Sequence, residues 1–73
     1  MVNEIITESR KRVGAQLGQQ REEQGWTISQ VAEMAGVKFS TVEKIEAGVF
    51  SVPLDVLAKV ADVLGCELTI KAK

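Results

Sequence analysis

The sequence contains no histidine, a single cysteine and a single proline. Without histidine, no serine, threonine or cysteine has the usual base that activates a nucleophile, and no pair of carboxylates is evidently placed for acid–base work, so an enzyme is not expected. The lone Cys66 excludes a disulfide within the chain, and together with the lack of histidine it argues against a zinc or iron–sulfur site. We therefore predict no catalytic residues, no metal and no cofactor.

Aromatic residues and long apolar runs are also scarce. Two phenylalanines and one tryptophan are the only aromatic residues, although 45% of the chain is hydrophobic, which predicts an aliphatic, alanine-rich core. No apolar run is long enough to span a bilayer and no signal peptide is recognisable, so we expect a cytoplasmic protein without a membrane partner. A length of 73 residues corresponds to one small domain.

An excess of positive charge is missing as well. The formal net charge is −1 and the isoelectric point is about 5.3. A protein that binds nucleic acid through bulk charge is usually basic, so any DNA binding here must come from a local arrangement of residues.

Periodicity and capping signals predict an all-α bundle of four to five helices. Asn3 is a candidate N-cap for a first helix that reaches residue 24. Gly14 and Gly18 weaken this helix by roughly 1 kcal/mol each, and a break near Ser9 would divide it. The motif TISQ at residues 27–30 has the form of a capping box and opens a second helix over residues 28–35.

Two further helices and a short strand complete the predicted fold. The third helix covers residues 39–47, and the fourth begins at Pro53 and reaches residue 64. The tail CELTIK, residues 66–71, alternates apolar and polar side chains, which is typical of a strand. We expect an N-terminal extension over 1–12, a domain over 13–65 and a C-terminal β-strand arm over 66–73.

The second and third predicted helices meet at a turn of small residues, as in a helix-turn-helix. Ala32 permits the two helices to cross closely, and Gly36 permits a left-handed backbone. Val42 and Ile45 would hold the third helix to the core. From spacing alone, a generic pair of helices in a small bundle fits the same residues.

The stretch over residues 13–65, from "VGAQLGQQREE" to "PLDVLAKVADVLG", resembles the Cro/CI-type (lambda-repressor-like) helix-turn-helix domain. Four landmarks occur in order: "VG…L…R", "T…VA…AGV", "STVEKIEAG" and "P…L…L…VA…LG". The resemblance implies a lambda-repressor-like bundle and sequence-specific binding of double-stranded DNA, with the third helix in the major groove. It further implies a dimeric transcription regulator, and we expect a repressor.

The resemblance also implies roles for individual residues. It places an arginine–glutamate pair at Arg21 and Glu46, which would clamp the third helix to the first; the alternative is that both are ordinary surface charges. It places the base-reading positions at Phe39, Ser40 and Lys44, with Lys38 and Thr41 beside them; Lys38 stands where many members have a capping serine or threonine and suits a phosphate instead. Lys44 suits guanine, Phe39 suits a thymine methyl, and Thr27 with the amides that open the second helix suits a phosphate.

Few cations surround these positions. The loop GVFSVP at residues 48–53 has no lysine or arginine, although the family often places phosphate contacts there, and Glu43 would repel the DNA backbone. Two or three cationic contacts per subunit predict that DNA affinity depends only weakly on salt. Each phosphate that a cation neutralises contributes roughly −0.9 to the slope of log K against log salt. The basic run at residues 10–12 either approaches DNA or forms a solvated helix face with Glu8 paired to Arg12, and we favour the solvated face.

The fourth predicted helix carries more apolar surface than one core face requires. Its core face is expected to comprise Leu54, Leu57, Val60, Ala61 and Leu64. We predict a homodimer on a pseudo-palindromic operator, in which two C-terminal arms pair antiparallel across a two-fold axis. The expected interface residues are Val56, Val63, Cys66, Leu68 and Ile70. A frayed terminus with tolerated surface valines is the alternative.

A protein-interaction module is the second functional hypothesis. Antitoxin-like members of the family bind a toxin and repress their own operon, and such a protein would keep the fold while its DNA binding is weak or secondary. Nothing in the sequence identifies a toxin or other protein partner.

Overall fold

Four helices make up the described part of the chain. The computed structural model describes the backbone of residues 2–69 and the side chains of residues 7–69. The helices are α1 (Val2–Glu23), α2 (Ile28–Ala35), α3 (Phe39–Ala47) and α4 (Leu54–Val63). The bounds of α2 and α3 are those predicted. Because α1 continues through Ser9 without a break, the described residues contain no fifth helix.

The core lies behind α3 and is almost entirely aliphatic. Helix α1 packs chiefly against α3, and α2 packs against both α3 and α4. The buried side chains are Leu17, Val31, Ala32, Val42, Ile45, Phe50, Leu57, Val60, Ala61 and Leu64. Val42 and Ile45 are the α3 members of this core, so the opposite side of α3 faces solvent.

Leu54 lies in an environment that differs from the one expected, and the loop before α4 contributes Phe50 to the core. Leu54 was predicted in the core, but 72% of it is exposed because it lies in the first turn of α4, one turn before Leu57, the first buried residue. Phe50 belongs to the loop between α3 and α4, yet it is buried and joins the core. The loop is therefore anchored by an aromatic side chain.

The predicted C-terminal strand is not seen among the described residues. Residues 66–69 have no regular secondary structure, and Ile70 and Lys71 lie outside the described residues. A strand requires a neighbouring strand for its backbone N–H and C=O groups, and the described part of a single chain offers none. Cys66 instead packs against the core, and its amide donates to the carbonyl of Ala61 at 2.8 Å.

Gln24 joins the ends of α1 and α4. Its Nε2 donates to the carbonyl of Leu64 at 2.7 Å, and its Oε1 accepts from Nε1 of Trp26 at 3.3 Å. The last carbonyls of a helix have no partner within the helix, so this bridge satisfies one of them. It also fixes the half-buried Trp26 over the core.

Two glycines let α1 approach α3 closely. A Cβ atom added at Gly14 would overlap the carbonyl oxygen of Ile45, and one added at Gly18 would lie 3.0 Å from Oε1 of Glu46. These glycines are four residues apart and therefore share one face of α1. Each weakens an isolated helix by roughly 1 kcal/mol relative to alanine. Gly14 permits a backbone-to-backbone contact with α3 that a larger residue would prevent, whereas Gly18 makes room for the Glu46 side chain.

Candidate nucleic-acid interface

The start of α2 presents a hydroxyl and free amides to solvent. The amide of Gln30 donates to Oγ1 of Thr27 at 3.1 Å, and the amide of Thr27 donates to Oε1 of Gln30 at 2.8 Å, so the predicted capping box is formed. Within the described part of the chain, the amides of Ile28 and Ser29 meet no acceptor. Because helix N-termini attract anions, this end can hold a phosphate.

The turn between α2 and α3 depends on Gly36. Its φ of 70° and ψ of 33° lie in the left-handed region, which a β-branched residue adopts only with strain. The amide of Gly36 donates to the carbonyls of Ala32 and Glu33, and the amide of Val37 donates to Ala32 at 3.0 Å. The turn is therefore closed by backbone hydrogen bonds, which fixes the angle at which α3 leaves α2.

The outer side of α3 carries the residues proposed to read DNA. Phe39 is 48% exposed, and Ser40 and Lys44 are also exposed, whereas Thr41 is half-buried. Lys38 occupies the N-cap position of α3, and its side chain makes no capping hydrogen bond. Glu43 lies among these residues and is exposed too. The structure thus places cations, a hydroxyl and an aromatic ring on one accessible surface.

Arg21 and Glu46 hold α3 against α1. Nε of Arg21 donates to Oε2 of Glu46 at 2.6 Å, and Nη2 donates to Oε1 at 3.0 Å. A third hydrogen bond runs from Nη1 to the carbonyl of Trp26 at 2.7 Å. The side chains are only 14% and 16% exposed, and hydrogen bonding to Glu46 raises the pKa of Arg21 above its ordinary value. This pair therefore holds α3 against α1.

Some residues that shape the interface carried no obvious sequence signal. Ile28 opens α2, but its half-buried side chain packs against the core rather than extending to a ligand. Gly14 lets α1 pack closely against the backbone of α3 at Ile45. The one available signal is the spacing of Gly14 and Gly18 by four residues, which is typical of two helices in close contact.

A family model described as helix-turn-helix, of the Cro/CI type, matches residues 17–71. Because the match covers most of the chain, the protein belongs to this family of DNA-binding regulators, as its sequence landmarks indicate. Comparison with curated proteins and comparison with solved structures gave no significant match.

Neither a metal site nor a membrane span is found in the residues described. Within residues 7–69, no group of three or more His, Cys, Asp or Glu side chains is placed to hold a metal ion. None of the four helices, as far as the structure describes them, is long and apolar enough to cross a membrane.

Proposed function

We propose that the protein binds double-stranded DNA in a sequence-specific manner and acts as a transcriptional repressor, with α3 in the major groove. The observation that carries this proposal is the exposed side of α3, where Phe39, Ser40 and Lys44 have no partner within the described part of the chain. Lysine pairs with O6 and N7 of guanine, serine pairs with several bases, and an aromatic ring contacts the thymine methyl. Repression is the simplest role, since a bound domain can block a promoter by occupancy alone.

The first prediction concerns base recognition by Lys44. We expect Lys44→Ala to weaken binding to the preferred site by about 1–3 kcal/mol and to relax preference at one base pair. Genomic fragments bound by the purified protein would first be selected and sequenced. Fluorescence anisotropy would then compare the wild type and the variant on the selected site and on each of its single-base-pair variants.

Two other lysines provide the controls for this measurement. Lys38→Ala should weaken all sequences evenly, because its expected contact is a phosphate. Lys59→Ala removes the same charge from the exposed side of α4 and should leave the binding constant nearly unchanged. If no fragment is enriched at low salt, the DNA-binding proposal is wrong and the protein-interaction hypothesis takes its place.

The assembly that we propose is a homodimer formed through the C-terminal arm. Leu54 and Leu68 are 72% and 37% exposed, and both line an open groove of mixed apolar and polar side chains between α1, α4 and the arm. Leu68 and Ile70 would continue this surface, with Val56 and Val63 beneath the paired arms and Cys66 at their base. Such a two-fold interface presents two copies of α3 to successive major grooves, about 34 Å apart.

The second prediction tests this dimer by truncation. Removal of residues 67–73 should leave a folded monomer whose affinity for a palindromic site falls by more than about tenfold, or 1.4 kcal/mol, because each molecule then contacts one half-site. Cys66 is retained because it packs against the core and its amide closes the end of α4. Analytical ultracentrifugation gives the oligomeric state.

A pair of substitutions in the arm serves as the control. In an alternating arm, Leu68→Asp should dissociate the dimer, whereas Thr69→Asp on the other side should not. A full-length protein that sediments as a monomer at high micromolar concentration would contradict the proposal.

Binding of a second protein is the other candidate function, and the groove that exposes Leu54 and Leu68 supports it. An antitoxin-like protein could present this surface to a toxin while α3 binds the operator. A toxin gene beside the gene for this protein would distinguish the two uses of the groove.

A further inference from the structure

The basic run at residues 10–12 lies beside the end of α3 and the loop that follows it. The backbone of Lys11 packs so closely against Gly48 that a Cβ atom there would lie 2.7 Å from Cα of Lys11. Cζ of Arg10 lies 6.0 Å from the centroid of the Phe50 ring, two residues further along the loop. Two cations from α1 therefore flank a loop that has no lysine or arginine of its own.

These cations are not neutralised by neighbouring carboxylates. Lys11 and Arg12 are exposed, Arg10 is half-buried, and none of the three forms an ion pair among the side chains of residues 7–69. Glu8 is exposed and does not pair with Arg12, so the predicted Glu8–Arg12 contact is wrong. The face of α1 toward the loop thus keeps its positive charge available for a ligand.

The exposed strip of α3 leads toward Lys11. Ser40, Lys44 and Ala47 are all exposed and lie within about 60° of one another at 100° per residue, on the side away from the core. Gly48 follows Ala47 directly and contacts the backbone of Lys11. A DNA backbone that passes the end of this strip therefore meets the side chain of Lys11.

We infer that Lys11 and Arg10 bind backbone phosphates at the edge of the DNA site, in place of the cations missing from the loop at residues 48–53. This inference rests on the proposed DNA-binding function. Together with Lys38 and Lys44, these two residues give four cationic contacts per subunit. Phe50 holds the Arg10 guanidinium over its ring, which positions that cation beside the loop.

Arg12 provides a matched control within the same helical turn. Gly14, which contacts α3, lies about 60° from Lys11 and about 160° from Arg12 around α1. Arg12 therefore projects from the opposite side of the helix and takes no part in the contact. Lys11→Gln and Arg12→Gln remove the same charge from neighbouring positions, so any effect of net charge alone is equal in both variants.

The experiment titrates a selected genomic fragment with the full-length wild type, Lys11→Gln and Arg12→Gln over a range of salt concentrations. We expect Lys11→Gln to weaken binding to all sequences evenly and to make the slope of log K against log salt shallower by about 0.9 for each half-site contacted. Arg12→Gln should keep the wild-type slope, and Lys11→Arg should restore it. Arg10→Gln is a second variant with the same expected change.

Thermal melts show whether a variant is folded, and only folded variants enter the comparison of slopes. Equal slopes for the wild type and for Lys11→Gln and Arg10→Gln would overturn the inference and leave the proposed function intact. An equal loss for Lys11→Gln and Arg12→Gln would show a bulk charge effect and would also overturn it. A wild type that selects no DNA would overturn the proposed function first.

Discussion

Replacement of Gly14 by alanine is expected to lower the free energy of unfolding by about 2–3 kcal/mol, the effect of overpacking a filled interface. Helix propensity predicts the opposite, because alanine in a helix is more favourable than glycine by roughly 1 kcal/mol. The added Cβ would overlap the carbonyl oxygen of Ile45 and lie 3.1 Å from that of Glu46. Both are backbone atoms of α3, so the clash is relieved only if the whole helix moves. Urea unfolding followed by circular dichroism measures the change.

Gly18→Ala is the matched control, since it makes the same substitution one turn later in the same helix. Its Cβ would lie 3.0 Å from Oε1 of Glu46, the far end of a side chain that is able to shift. We expect the gain in helix propensity and the disturbance of Glu46 to offset each other to within about 1 kcal/mol. If the urea unfolding midpoint of Gly14→Ala is equal to or above that of the wild type, this result would contradict the close contact between α1 and α3.

Arg21→Ala is expected to lower the free energy of unfolding by about 2–4 kcal/mol. The substitution removes two hydrogen bonds to Glu46 and one to the carbonyl of Trp26. It also leaves the Glu46 carboxylate, which is only 16% exposed, without a counter-ion. A double-mutant cycle with Glu46→Gln would separate the coupling of the pair from the loss of the Trp26 contact.

Glu22→Ala is the control for this cycle. Glu22 also approaches Arg21, at 3.7 Å, but 73% of its side chain is exposed to solvent. An exposed ion pair of this kind contributes less than about 1 kcal/mol, so its removal should change the unfolding midpoint little. If Arg21→Ala unfolds at the wild-type urea concentration, the pair does not hold α3 in place.

The helix-turn-helix itself was predictable because its signals are local. A capping box at Thr27 and Gln30 begins α2, and glycines at 36 and 48 end α2 and α3, so both helices have the bounds expected from the sequence. These motifs act over three to five residues and depend little on the rest of the fold. The juxtaposition of Arg21 and Glu46 could be anticipated only because the family resemblance supplied the register between α1 and α3.

The remaining features depend on how distant elements meet. Gly14 appeared to be a weak point of α1 because the carbonyl of Ile45 that it contacts is 31 residues away in the chain. Periodicity places Leu54 on the core side of α4. The first turn of α4 nevertheless extends past the edge of the core, so Leu54 is exposed. The alternation of apolar and polar residues over 66–71 predicts which residues would share a side of a strand. It does not indicate whether a second strand is present to pair with it.

The position of Trp26 has a spectroscopic consequence. The chain contains one tryptophan and no tyrosine, so its near-ultraviolet emission arises almost wholly from a single indole. That indole donates to Gln24, which is bound to the end of α4, while the Trp26 carbonyl accepts from the clamp residue Arg21. The chromophore also immediately precedes Thr27, at the end of α2 that is suited to a phosphate. The protein thus carries an intrinsic fluorophore between its folding scaffold and the proposed DNA-binding surface, and unlabelled material can report on both.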